Sequence, residues 1–207
     1  QPEFVFHLAA QPLVRQSYSN PIETYTTNVM GTLHLLEALR EVKQSCVAVL
    51  ITSDKCYDNV EWVWGYRETD RLGGPDPYSA SKGAAELVIR SHVHSFFPKQ
   101  GNVRIGIGRA GNVIGGGDWA EDRIVPDCVQ AWSQGEQALL RNPRATRPWQ
   151  HVLEPLSGYL NLAMSLNESA ELHGEPFNFG PPADQNHSVD SLVKQMSQHW
   201  DRVLWQD

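Results

Sequence analysis

Tyr78 and Lys82, in the run YSASK, stand four residues apart, and on a helix they share a face. A tyrosine hydroxyl has a pKa near 10 and is a poor base at neutral pH. Bringing it close to neutrality requires about 4 kcal/mol of preference for the phenolate. One ammonium about 4 Å away supplies roughly that at an effective dielectric of about 20. The pair is therefore an adequate device for taking the proton from an alcohol. The same spacing also arises by chance on amphipathic helices, so its companion matters. A continuous apolar run at residues 47–51 passes directly into Thr52-Ser53-Asp54-Lys55-Cys56-Tyr57. Strand ends in open α/β sheets face the ligand crevice. There Ser53 can hydrogen-bond a substrate hydroxyl beside the Tyr78 oxygen, while Asp54 and Lys55 offer an acid and a base. A solvated turn with a surface Asp–Lys pair is the competing reading. The two segments lie 25 residues apart, one ending a strand and one carried by a helix, and that combination is much rarer by accident than either alone.

These groups need a scaffold. Residues 4–8 read as a short apolar strand. Asn20-Pro21-Ile22-Glu23 reads as a helix start, with Asn as cap, Pro in the first position and Glu three residues after the cap. Ile22, Tyr25, Val29, Leu33 and Leu36 continue it at helical spacing. The run at 47–51 suits a strand covered on both faces of a parallel sheet. Asp76 caps a second helix predicted over residues 77–97, which Pro98 ends. Val103, Ile105 and Ile107 form another strand, followed by a glycine-rich loop at residues 115–117. Helices are predicted near 124–133, 153–166 and 189–200, and a short strand over 176–179. Such alternation predicts an α/β fold with a Rossmann-like, doubly wound parallel sheet. After about residue 112 it loosens, as for a smaller lobe at the carboxyl ends of the strands.

Composition is consistent with this. The chain has 207 residues, 41% apolar and 20% charged, enough for an ordinary globular core and unlike a disordered segment. A net charge of -7 argues against a broad nucleic-acid surface. The longest apolar stretch, residues 46–52, is far below the ~20 residues of a spanning helix. No segment reads as a secretory signal. Cys46, Cys56 and Cys128 form no CxxC pair and are odd in number, as expected of free thiols in a reducing, cytoplasmic compartment. His92 and His94, the closest histidines, diverge on a helix, so no metal is expected.

At this point the sequence resembles the extended short-chain dehydrogenase/reductases, and within them the nucleotide-sugar 4,6-dehydratases. HLAAQ (residues 7–11) is similar to the segment after the family's fourth strand, and TNVMGTLHLLEAL (27–39) to the helix that follows. YSASK is the family's Tyr-x-x-x-Lys motif, RAGNVIGGGDW (109–119) its substrate-side loop, and RPWQHVLEPLSGYL (147–160) its Arg-x-Trp-x-x-Val segment. FNFGP (177–181) resembles a late strand. Many relatives have Thr-Asp-Glu where this chain has Ser53-Asp54-Lys55. SDK, with GGGDWAEDR (115–123) and RPWQH, is similar to the members acting on CDP-glucose.

The resemblance implies a partial NAD-binding domain over residues 1–113 and mainly a substrate lobe over 114–207, incomplete and with interleaved sheet elements. It implies an internal redox dehydration of a nucleotide sugar through bound NAD. Ser53 would hold the sugar hydroxyl, Tyr78 would take its proton, and Lys82 would bind the nicotinamide ribose. Asp54 would protonate the departing C6 oxygen. Lys55 stands where relatives place the C5 base, and a lysine acts so only when its reference pKa near 10.4 is lowered, as Lys82 and the oxidised nicotinamide would both do. The two roles can be exchanged or shared through water. Leu8, Ala9, Ala10, Gln11, Thr27 and Val113 match cofactor-contacting positions, and Asn112 a substrate-bonding one. Arg123, Arg141 and Arg147 match the nucleotide-diphosphate side, where a guanidinium fork suits phosphate oxygens. Trp119 reads equally as a shelf for sugar or base and as a core residue. A homodimer or homotetramer through helices such as 27–39 and 77–97 is also implied, with no nucleic-acid or membrane partner.

The family opens with a glycine-rich turn that receives the cofactor pyrophosphate. No such G-x-x-G-x-x-G turn precedes His7, and residues 115–117, which follow a strand late in the chain, lack the G-x-G-x-x-G spacing of a cofactor phosphate loop. The resemblance thus implies the middle of a longer enzyme, expected to bind cofactor poorly as an isolated polypeptide. Three rivals stand beside this reading: a 4,6-dehydratase for a different nucleotide, a 4-epimerase and a non-catalytic binding protein. A 4-epimerase would have no use for Asp54-Lys55, and a non-catalytic nucleotide-sugar-binding protein no use for the Tyr78/Lys82 pair.

Overall fold

A computed structural model describes residues 1–201, 203, 205 and 206. The chain divides into two units: residues 1–110 with 153–179, and residues 111–152 with 180–207. The first break between the units lies at 110/111, and residues 153–179 belong to the first unit.

The first unit is built on four parallel strands in the order β1 (Phe4–His7), β2 (Cys46–Ile51), β3 (Val103–Ala110) and β8 (Pro176–Phe179). Parallel neighbours require crossover connections, and helices supply them. Between β1 and β2 run α1 (Val14–Ser19), α2 (Pro21–Tyr25), a π-helical turn (Thr26–Met30) and α3 (Gly31–Arg40). Between β2 and β3 runs α4 (Pro77–Phe96), and α6 (Leu153–Glu168) precedes β8. The continuous apolar β2 is buried on both faces as its composition predicts. Cys46, Ala48 and Leu50 join Leu36, Leu39, Ile89 and Phe97 on one side, and Val47 and Val49 meet Tyr159, Leu162 and Leu166 on the other. Gly158 lets α6 lie against the sheet, since a Cβ there would stand 2.3 Å from the Phe179 ring.

The segment before β2 differs from its sequence pattern. One helix was expected from Asn20 through the stripe Ile22, Tyr25, Val29, Leu33 and Leu36. Instead Asn20 ends α1 and begins α2, and its side chain makes no cap bond. The buried face is Thr24, Asn28, Thr32, Leu36 and Leu39, while Ile22 is 82% exposed. Hydrogen bonding decides this: Thr24 accepts from Gln11, Asn28 donates to Ser81, and the buried Thr32 hydroxyl donates to the Asn28 carbonyl one turn earlier, as burial requires partners. The π-helical turn carries Asn28 between the two flanking helices.

The second unit contains α5 (Ile124–Ser133) and α7 (Val189–Ser197), the latter ending three residues before the predicted limit. It also holds two-residue strands β4 (Val113–Ile114), β5 (Ala138–Leu139), β6 (Thr146–Arg147), β7 (Gln150–His151), β9 (His187–Ser188) and β10 (Trp205–Gln206). These pair as β4–β7, β5–β10 and β6–β9. Its core gathers Cys128, Trp132, Ala138, Leu140 and Val193. Among the described residues, no helix is long and apolar enough to cross a membrane.

Candidate active site

Asp76 caps α4 as expected: Oδ1 accepts from the Ser79 amide at 2.9 Å and Oδ2 from the Ser79 hydroxyl at 2.6 Å. Pro77 occupies the first turn, and the Tyr78 amide donates to Ser17 Oγ at 3.1 Å. This start aims Tyr78 and Lys82 into the protein, where they are 8% and 6% exposed. Lys82 Nζ lies 6.0 Å from the centroid of the Tyr78 ring. Burial lowers the Lys82 pKa to about 8 despite the opposing pull of Glu86. Among the described residues its ammonium hydrogen-bonds to none. A buried donor of this kind fits the vicinal hydroxyls of a ribose.

At the end of β2 the chain makes a single 3-10 turn, Asp54–Cys56. Ser53 caps it: its Oγ accepts from the Lys55 amide at 3.2 Å and donates to Asp54 Oδ1 at 3.0 Å. Ser53 is 7% exposed, while Asp54 and Lys55 are half-buried. Helix α4 packs on this turn at backbone distance. A Cβ on Gly83 would stand 3.3 Å from the Cys56 carbonyl oxygen and 3.2 Å from the Gly73 nitrogen, so only glycine lets the helix approach so closely. Ser53, Asp54 and Lys55 thus share one end of the sheet with Tyr78 and Lys82. Burial and the nearby Glu86 charge push the Cys56 thiol up, which keeps it protonated and unreactive.

On the β1 side, Leu8 and Ala9 are exposed and Ala10 is half-buried. Gln11 is buried and spends its side chain internally: Nε2 donates to Thr24 Oγ1 at 2.8 Å and Oε1 accepts from the Leu13 amide. Thr27 is exposed on the π-helical turn. His7 is pushed down by burial and by the Lys82 charge.

Asn28 was not singled out by sequence. Its Oδ1 accepts from the Gln11 amide at 2.8 Å, and its Nδ2 donates to the Gln11 carbonyl at 3.1 Å and to Ser81 Oγ at 2.9 Å. It thereby joins the strand-end segment to the helix carrying Tyr78. Its signal was present as the middle of a polar stripe, Thr24, Asn28 and Thr32, at helical spacing. The buried ion pair Glu86–Arg109 was missed as well; Glu86 follows Lys82 by one further turn of the same helix face.

The remaining predicted residues belong to the second unit. Val113, on β4, is partly buried, as is Asn112, whose carbonyl accepts from the Gln150 amide. Arg141 is held by Asp122, and its second terminal nitrogen stands 4.0 Å from Asp127. Arg147 NH1 donates to the Thr146 carbonyl at 2.7 Å. Arg123 Nε lies 3.4 Å from Asp118 Oδ2 without forming a hydrogen bond. It and Trp149 Nε1 are buried donors lacking a hydrogen-bond partner among the described residues. Trp119 is 63% exposed, so it is not a core residue.

The pattern of the family described as GDP-mannose 4,6 dehydratase matches residues 1–197. A CDP-glucose 4,6-dehydratase of Salmonella typhimurium is 53% identical over 210 residues, covering 99% of this chain and 58% of that enzyme. The chain thus spans less than two thirds of that relative's length. A dTDP-glucose 4,6-dehydratase of Xanthomonas campestris is 32% identical over 104 residues, 46% of this chain and 30% of its own. Among solved structures, RMD from Pseudomonas aeruginosa complexed with NADPH is 25% identical with a TM-score of 0.81, covering 99% of this chain and 69% of that one. DesIV, a dTDP-glucose 4,6-dehydratase from Streptomyces venezuelae with NAD and TYD bound, matches in fold at 21% identity and a TM-score of 0.77, over 99% and 60% of the two chains. With the family pattern running through all but the last ten residues, the chain belongs to the GDP-mannose 4,6-dehydratase family.

Proposed function

We propose that this chain carries the catalytic centre of an NAD-dependent CDP-glucose 4,6-dehydratase, a lyase converting CDP-glucose to CDP-4-keto-6-deoxy-glucose and water. The observation that carries the reading is the backbone-close packing of α4, at Gly83, on the turn that bears Asp54 and Lys55, in a chain 53% identical to an enzyme named for this reaction.

Lys82, Tyr78, residues 8–11, Thr27 and Val113 hold NAD, which when bound supplies the hydride acceptor and returns the hydride. Ser53 accepts a hydrogen bond from the sugar, with its own proton directed to Asp54. The Tyr78 oxygen takes the proton of the C4 hydroxyl, and the Lys82 ammonium favours the phenolate that makes this reaction accessible. Once C4 is a carbonyl, the C5 hydrogen is acidic. Lys55 removes it while Asp54 protonates the C6 oxygen, which leaves as water; with the hydride returned to C6, C5 takes a proton back from Lys55, which exchanges with solvent. Asn112 and the arginines at 123, 141 and 147 bind the sugar and its diphosphate. Trp149 Nε1, buried without a hydrogen-bond partner among the described residues, and Arg123 Nε, ion-paired to Asp118 but not hydrogen-bonded to it, support an acceptor-rich ligand on that lobe, since a buried donor without an acceptor is costly. The same reading makes the enzyme a cytoplasmic homodimer or homotetramer. Exposed apolar residues such as Ile22, Met30 and Leu87 support assembly through the helices between β1 and β3.

The test is incubation of the full-length protein, loaded with NAD, with CDP-, dTDP- and UDP-glucose. The 4-keto-6-deoxy product is read by the ultraviolet chromophore it develops in alkali. Product from CDP-glucose in preference to the other two is expected. A C4 epimer, or no keto sugar from any of the three, overturns the reading.

A further inference from the structure

We propose that the buried Glu86–Arg109 pair is a positioning device, holding the Asp54–Cys56 turn in register with Tyr78 and Lys82. The inference rests on the proposed dehydration, which needs proton transfers from both places on one sugar. Glu86 lies four residues after Lys82 and eight after Tyr78 on α4, so it shares their face. Arg109 comes from the carboxyl end of β3. Their contact is bidentate: Nε donates to Glu86 Oε1 and NH2 to Oε2, each at 2.8 Å, with the side chains 4% and 3% exposed.

Both ends of the turn are tied to this one pair. On the entering side, Thr52 Oγ1 donates to Glu86 Oε1 at 2.5 Å. On the leaving side, Arg109 NH1 donates to Tyr57 Oη at 2.8 Å and also to the Glu68 carbonyl at 3.0 Å. Tyr57 Oη passes its own proton to Asn178 Oδ1 at 2.6 Å, and the guanidinium stacks 5.0 Å from the Tyr57 ring. Burial alone would lower Arg109, but the hydrogen bonds and charge of Glu86 outweigh it and keep the guanidinium ionised.

Chemistry argues for geometry over stability as the role of this pair. A buried ion pair stabilises a fold no better than a well-packed apolar pair of the same size. A planar, two-pronged contact does fix direction. Here it fixes the turn bearing Asp54 and Lys55 relative to the helix bearing Tyr78 and Lys82, and a misplacement of about 1 Å between such groups costs about 100-fold.

The test uses full-length protein with Glu86→Gln, with Arg109→Lys, and with the double variant Glu86→Leu/Arg109→Met, which leaves no lone buried charge. Amide hydrogen exchange is compared between residues 53–57 and the β2 residues 47–50, without substrate. Exchange at 53–57 is expected to accelerate at least ~10-fold with 47–50 unchanged, as for a local loss of order. With substrate, the isotope effect from C5-deuterated CDP-glucose should rise and that from C4-deuterated sugar should fall, as total turnover drops about 100-fold. Unchanged protection at 53–57, or a loss of turnover with both isotope effects as in the wild type, overturns the inference. Failure of the wild-type protein to form a keto sugar strikes the proposed function instead, and the exchange result still decides the positioning role.

Discussion

Replacing Lys82 with methionine removes a buried charge and keeps its aliphatic stem. The lysine is 6% exposed, and burial lowers its pKa from 10.5 to about 8. At 1.36 kcal/mol per tenfold change in proton affinity, the charged side chain costs the folded state about 3 kcal/mol. Below pH 8 both folded and unfolded chains carry the proton, and the full penalty applies. Between pH 8 and 10.5 the folded chain sheds its proton first, the unfolded chain binds more protons, and wild-type stability rises with pH. Methionine titrates nowhere. The variant is therefore expected to be more stable than wild type by about 3 kcal/mol at pH 7, with the advantage shrinking through pH 8–10, and to form no keto sugar. Urea unfolding of both proteins across pH 6.5–10.5 measures it. An advantage that does not vary with pH, or a variant less stable than wild type at pH 7, would refute the reasoning.

Asn28→Ala removes the three hydrogen bonds that join Gln11 and Ser81 and leaves a buried backbone pair unmet, so urea unfolding should show a loss of about 2–3 kcal/mol. Gly83→Ala inserts a methyl group 3.2–3.3 Å from the Gly73 nitrogen and the Cys56 carbonyl. Keto-sugar formation should fall at least ~10-fold, because α4 must retreat from the turn, while far-ultraviolet circular dichroism stays unchanged. His173 accepts from the Ile105 amide at 3.0 Å through Nδ1, and its Nε2 stands 2.9 Å from the Phe97 carbonyl, which requires the neutral tautomer with the proton on Nε2. His173→Ala should destabilise the protein by about 2–4 kcal/mol in the same unfolding assay.

The elements that the sequence made legible were those whose burial is uniform or whose ends are punctuated. Strand β2 is apolar at every position and is covered on both faces. Helix α4 has its Asp76 cap and its stop before Pro98. The catalytic candidates were readable for the same reason: Ser53, Asp54 and Lys55 end that strand, and Tyr78 and Lys82 begin that helix. The region before β2 was less readable because its buried face is polar. Thr24 and Asn28 are satisfied by partners distant in sequence, and a stripe of apolar residues drew the eye to the face that stays exposed. Glu86 and Arg109 were hidden likewise. They are 23 residues apart, and single charges in a chain look like surface until their pairing is seen. The two-residue strands of the second unit carry no periodicity that a sequence could display. The arginines at 123, 141 and 147 were placed by resemblance, and Arg141 is engaged by Asp122 in a way no local pattern announces.

The most direct measurement is the fate of the sugar C5 hydrogen in heavy water. Full-length wild-type protein turning over CDP-glucose in D2O should give product carrying deuterium at C5. Lys55→Met should oxidise C4 yet introduce no deuterium at C5, because the base acting there has been removed. Deuterium entering C5 at the wild-type rate in that variant would contradict the assignment of elimination to the turn packed against α4.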